Sequence, residues 1–170
     1  MGIRAITLFV LASVTFAGAP VLARSQEIMG WVEWVHVFDT DFRVKAKLDT
    51  GAATSSLDAT EIEAFKRDGK SWVRFTVTDP ATSESEVLEK RRKRVVRIVR
   101  HNGKHQKRYV VELDVCLGEE RQSIEVSLID RSQFIYPLLL GRSALEKMSI
   151  VVDPSDTFVM SPSCDRGGSS

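Results

Sequence analysis

The chain has 170 residues and a formal net charge of +1. That is one domain's length, with a composition ordinary for a soluble globular protein. So even a charge balance singles out no class of partner for the molecule as a whole, and any charge signal has to be local.

The N-terminus reads as an export signal covering residues 1–23. Met1 to Arg4 give a short positive start, Ala5 to Ala19 an apolar run, and Val21-Leu22-Ala23 the small residues before a cut. The run is short for a membrane span of about 20 residues. An uncleaved N-terminal anchor is the alternative. A cut after Ala23 leaves a domain over 24–164 and a Gly/Ser tail over 165–170, expected to be disordered. No later apolar stretch is long enough to span a bilayer. The expected location is therefore the periplasm or outside the cell. That compartment permits a disulfide between Cys116 and Cys164, the only two cysteines. One buried thiol and one mobile thiol is the alternative.

Strand signals dominate the rest of the chain. Glu27 to Phe38 alternates and is rich in Val and Trp. After the turn residues Asp39-Thr40-Asp41, Phe42 to Leu48 alternates apolar against basic. This predicts an N-terminal hairpin whose second strand delivers Asp49. Asp49 to Ser56 is a small-residue loop. Thr60 to Lys66 predicts a short helix, with Thr60 as cap, Glu63 three residues on and Asp68-Gly69 as the stop. Ser71 to Thr78 reads as a strand and Ala81 to Glu86 as a polar loop. Val87 to Arg100 and Lys107 to Leu117 read as extended runs around Asn102-Gly103, a strong hairpin signal. Gln122 to Ile129 is a further strand and Pro137 to Leu140 a short apolar run. Ser143 to Met148 suits one or two helical turns. Ile150 to Asp153 and Thr157 to Met160 predict a last hairpin across Pro154-Ser155. Many short strands with close turns predict a mainly β fold, a closed β barrel with one or two short helices.

Chemistry concentrates at Lys47-Leu48-Asp49-Thr50-Gly51-Ala52-Ala53-Thr54-Ser55-Ser56-Leu57. A strand running into Asp-Thr-Gly holds a carboxylate open at a turn. Gly51 permits close backbone approach, and its amide can face the Asp49 oxygens. Thr50 and Thr54 add hydroxyls, and small side chains leave room for a substrate. An Asx-type turn at a strand end is the plain alternative. About 90 residues on, Leu139-Leu140-Gly141-Arg142 gives two apolar residues, a glycine and the start of a helical stretch.

Taken together, in this order, the two segments resemble the retropepsin-like aspartic proteases. Lys45 through Ala59, Tyr109-Val110-Val111, Leu128 through Ser132, Tyr136 through Arg142 and Val152-Asp153-Pro154 are similar to one bacterial group of them. That group is catalogued as ATP-dependent zinc proteases and associated with ATP-grasp glutamate ligases. The resemblance spans roughly 27–160. It implies a retropepsin-like fold in which Asp49 is the catalytic carboxylate, Thr50, Gly51, Ala52 and Thr54 support its loop, and Leu139 to Arg142 pass beside it. One Asp-Thr-Gly supplies one carboxylate, whereas the chemistry needs two sharing a proton, so the resemblance implies a homodimer. A flap closes over substrate in such enzymes, and Asn102-Gly103 is the candidate.

No cofactor is expected. The sequence has no Gly-rich phosphate loop and no zinc-binding His-Glu-x-x-His. His101 and His105 flank Asn102-Gly103, which breaks any helix, and His36 sits in a strand. Ten basic residues fall among the nineteen positions 90–108, densest at Arg91, Arg92, Lys93 and Arg94. They are a solvated face or a site for an acidic peptide or polymer. No aromatic residue interleaves them before Tyr109, which argues against nucleic acid. The expected activity is that of an exported homodimeric aspartic endopeptidase, with an acidic peptide among its expected substrates. The alternative is a non-catalytic peptide-binding or regulatory module on the same fold.

Overall fold

The computed structural model describes residues 25–99 and 105–164. The signal-peptide and tail assignments, and the candidate flap tip at Asn102 and Gly103, lie outside them.

Strand β1 (Glu27–Val37) turns through Thr40, whose hydroxyl donates to Val37 O at 3.0 Å and accepts from Phe42 N at 3.1 Å. Strand β2 (Arg43–Asp49) returns antiparallel to it. The predicted alternation holds. Val44, Ala46 and Leu48 are buried, while Arg43 and Lys45 face solvent, as the period of two requires. The chain then makes β3 (Ser55–Asp58), β4 (Thr60–Arg67), β5 (Lys70–Thr78) and β6 (Ser85–Arg91). Next come β7 (Arg94–Val99), β8 (His105–Leu117), β9 (Glu120–Ile129) and β10 (Leu138–Gly141). Helix α1 (Arg142–Lys147) and β11 (Ile150–Thr157) complete the described chain.

Strands β1, β2, β10, β3, β9 and β8 are neighbours in that order, and β8 pairs back onto β1 through Val35–Val37 and Val115–Leu117. The six therefore close on themselves, with β11 and β7 added outside. This is the mainly β, closed arrangement that the sequence predicts. Leu57, Leu113, Ile124, Leu128, Leu138 and Leu140 fill its interior. A second sheet, β4-β5-β6, lays Val73, Phe75 and Val77 on the same core. Each such buried side chain contributes about 1.5–3 kcal/mol relative to exposure.

Three expectations are corrected. Thr60 to Lys66 is strand β4, not a helix. Asp68 and Gly69 both have positive φ, 51° and 72°, and form a two-residue hairpin turn onto β5 rather than a helix stop. The run from Val87 to Arg100 is two strands. Arg92 N donates to Ser71 O and the next amide, Lys93 N, to Val110 O, both at 2.9 Å, so the chain changes sheets there. The last hairpin across Pro154 is absent. Residues 150–157 are one strand parallel to β1, and a register shift near Gly30 accommodates the proline stretch. Pro154 is tolerated because β11 is an edge strand.

Cys116 and Cys164 form a disulfide with Cα atoms 6.0 Å apart, tying the C-terminal segment to β8.

Candidate active site

Asp49 is the last residue of β2, and the peptide after it turns sharply. Its Oδ1 accepts from Gly51 N at 2.9 Å and Ala52 N at 3.2 Å. Two consecutive amides thus orient the carboxylate, as the small residues after it allow. Lys47 Nζ lies 3.1 Å from the other oxygen, Oδ2. Partial burial pushes the Asp49 carboxyl up, but the Lys47 hydrogen bond and charge and the two amides outweigh it. They hold the group below the usual aspartate range.

Strand β10 is inserted between β2 and β3. It runs parallel to β2, pairing Leu139 with Lys47, Leu140 with Leu48 and Gly141 with Asp49, and antiparallel to β3. Gly141 is packed against the backbone of Thr54, where a Cβ would come within 2.7 Å of the Thr54 carbonyl carbon and oxygen. Only glycine fits. Gly141 N donates to Ser55 Oγ at 3.1 Å, Arg142 N to Ala52 O at 2.9 Å and Ser143 N to Ala53 O at 3.3 Å. The Arg142 guanidinium caps the loop from outside, donating through Nη1 to Thr50 O at 2.9 Å and Gly51 O at 3.0 Å. The two segments singled out in the sequence are thus one crossing. Thr50, Gly51 and Thr54 are exposed at its rim and Leu140 anchors it below.

Several residues to which the sequence analysis assigned no individual role complete the site. Ser55 and Ser56 are buried, and Ser127 Oγ donates to Ser55 O at 3.1 Å. Arg131, also buried, donates to Ser56 Oγ at 2.8 Å and Tyr136 O at 3.1 Å, and its amide donates to Asp58 Oδ1 at 2.6 Å. Burial holds its guanidinium below the usual arginine range. Arg108 on β8 pushes the same way, while Asp58 and Asp49 oppose. Asp49 and Arg108 are therefore both within electrostatic reach of Arg131. Lys47 stood in the chemistry-bearing stretch without a role of its own; its place two residues before Asp49, on the same face, was the available signal.

The basic stripe is only partly together. Arg91 is exposed at the end of β6. Arg92 donates to Ser71 Oγ at 3.1 Å and lies over Tyr109. Lys93 pairs with Glu112, and Arg94 with Glu125 at 2.8 Å. Arg91, Arg92 and Lys93 do line one polar cavity between the two sheets, with Trp72, Glu89 and Glu112. Among the described residues no group of three or more His, Cys, Asp or Glu is placed to hold a metal ion. His101 lies outside them, while His36 packs edge-on against Phe38.

Residues 28–163 match the family model described as "Retropepsin-like aspartic endopeptidase RimB". The chain belongs to the RimB-like family. It is 38% identical over 119 residues to a protein of Shewanella pealeana named "Probable alpha-L-glutamate ligase". That match covers 69% of this chain and 26% of the relative. A protein of the same name from Parasynechococcus marenigrum is 38% identical over 131 residues, 75% of this chain and 28% of the relative. The chain thus spans about a quarter of the length of these curated relatives. A crystal structure of a Legionella pneumophila protein of unknown function superposes with a TM-score of 0.70 at 37% identity. It covers 79% of this chain and 98% of that one. The comparisons support the retropepsin-like part of the resemblance and the relation to glutamate ligases. They give no support to the zinc part of the catalogue name.

Proposed function

We propose that this RimB-like chain is an exported aspartic endopeptidase that works as a homodimer. The observation that carries the reading is the Asp49 carboxylate, aimed by two amides and locked by the Gly141 crossing. Two such carboxylates across a twofold axis share one proton, because like charges so close cannot both ionise. The ionised one takes a proton from water, whose oxygen bonds to the peptide carbonyl carbon. The protonated one donates to the carbonyl oxygen. Collapse then breaks the C–N bond, the nitrogen leaves protonated, and the dyad returns to its starting state. Thr50, exposed beside Asp49, meets its symmetry mate at the axis. The flap is assigned to the hairpin tip at Asn102-Gly103, between the antiparallel strands β7 and β8. The disulfide supports an oxidising location. The basic residues at 91–94, and relatives named for glutamate ligation, favour an acidic peptide as substrate.

Asp49→Asn tests the reading. Cleavage of an acidic peptide should vanish while the circular dichroism spectrum is unchanged; undiminished cleavage would remove Asp49 from the mechanism. A second reading, a peptide-binding module, is favoured by one observation: Lys47 neutralises Asp49 within the single chain. A chain that binds acidic peptides but stays monomeric would support it.

A further inference from the structure

Alternation along β2 brings Lys47 and Asp49 to the same face, two residues apart. With Oδ1 held by Gly51 and Ala52 and Oδ2 facing the Lys47 ammonium at 3.1 Å, both oxygens of the carboxylate are engaged. A carboxylate that must hold water and share a proton with a second carboxylate cannot keep that lysine. The pair is not locked in the interior: the Lys47 side chain is 42% exposed and that of Asp49 23%. Exposed pairs of this kind are weak and exchange partners readily. The site also carries more positive than negative charge. Arg131, buried after β9, is within electrostatic reach of Asp49 and Asp58, and Arg108 on β8 is within reach of Arg131. Lys47 is thus paired directly with Asp49, and the Arg131 amide with Asp58.

We propose that Lys47 is a specificity-determining residue that leaves Asp49 for the side-chain carboxylate of a glutamate or aspartate flanking the scissile bond. The inference rests on the endopeptidase reading. The position follows from distance. A cation 3.1 Å from the reacting carboxylate meets only the residues next to the bond being cut. In a twofold dimer a Lys47 stands on each side of that bond, so acidic residues suit both sides. An acidic side chain entering the cleft loses water and needs a cation, which Lys47 supplies. The same exchange frees Asp49 Oδ2, so an acidic substrate both docks and uncaps the base. A neutral side chain offers Lys47 nothing and leaves the ion pair in place.

The test uses the full chain and two peptides that differ only in glutamate or glutamine at the two residues flanking the bond. The unaltered protein should cleave the glutamate peptide with a kcat/KM about tenfold to a hundredfold higher, the range of one lost charge-assisted contact. Lys47→Gln should bring that ratio close to one, and Lys47→Arg should keep most of it. Sedimentation and circular dichroism confirm that each variant is assembled and folded, and the two-peptide comparison on the unaltered chain needs no variant. Equal cleavage of both peptides by the unaltered protein overturns the proposal, as does an undiminished ratio in Lys47→Gln. If the unaltered protein cleaves neither peptide nor any other, or if Asp49→Asn still cleaves, the endopeptidase reading itself fails and takes the proposal with it.

Discussion

Replacing Gly141 by alanine tests the crossing that holds Asp49. Gly141 has φ −90° and ψ 174°, which any residue adopts, so the cost is purely one of space. The added Cβ would lie 2.7 Å from the Thr54 carbonyl carbon and oxygen and 2.8 Å from its nitrogen. Favourable contact begins near 3.5 Å, so about 0.8 Å of separation is missing. The neighbour is backbone, and it cannot swing aside. Ala52 and Ala53 are bonded to the start of α1, and Ser55 Oγ is bonded to Gly141 itself. Overpacking of this kind costs about 1–3 kcal/mol. With a urea slope of about 2 kcal/mol/M, the unfolding midpoint should fall by about 0.5–1.5 M. Equilibrium urea denaturation followed by tryptophan fluorescence measures it. A midpoint within about 0.2 M of the unaltered protein would refute the argument, because the loop would then have yielded without cost.

Thr50→Arg places a bulky charge at the proposed twofold axis and strikes it twice. Dimer and activity should be lost together, read by sedimentation across a concentration series. Replacing Cys116 and Cys164 by serine opens a cross-link between positions 48 residues apart. It should cost about 2–4 kcal/mol, seen as a lower unfolding midpoint that reductant no longer moves. Changing Arg91, Arg92, Lys93 and Arg94 to serine should weaken binding of an acidic peptide and flatten its salt dependence, measured by fluorescence anisotropy. Asp49 in the single chain is held below its ordinary range, so its ionised form contributes stability above its unfolded value. That contribution is lost as pH falls through the lowered value. Asp49→Asn should flatten the acid limb of the monomer's urea stability in that window.

Much of this site was legible because its parts obey short-range rules. The alternation of β2 and the small residues after Asp49 are local patterns, and so is the Leu-Leu-Gly before α1. Where local signals conflict, the sequence misleads. Thr60 with Glu63 imitates a helix cap, and Asp68-Gly69 serves equally as a helix stop or a hairpin turn. Pairing with β5 decides between them, and that lies in the tertiary structure. Pro154 signals a break, yet an edge strand with an irregular register absorbs it. Ser55, Ser56 and Arg131 lie in segments that carry the resemblance, but neither they nor Ser127 could be given a role from the pattern. A buried polar side chain is recognisable only when its partner is known, and for Arg131 and Ser56 that partner lies 75 residues away.

The insertion of β10 between β2 and β3 also governs when the site is assembled. Thr50 and the Arg142 guanidinium that caps its loop are 92 residues apart in the chain. Asp49 is therefore synthesised long before the strand that fixes it, and contacts of such range form late and slowly. A nascent chain carries its carboxylate on an unbraced loop with no glycine crossing beneath it. The carboxylate thus gains its fixed geometry only when nearly the whole polypeptide has folded, so the site is among the last parts of the molecule to be assembled.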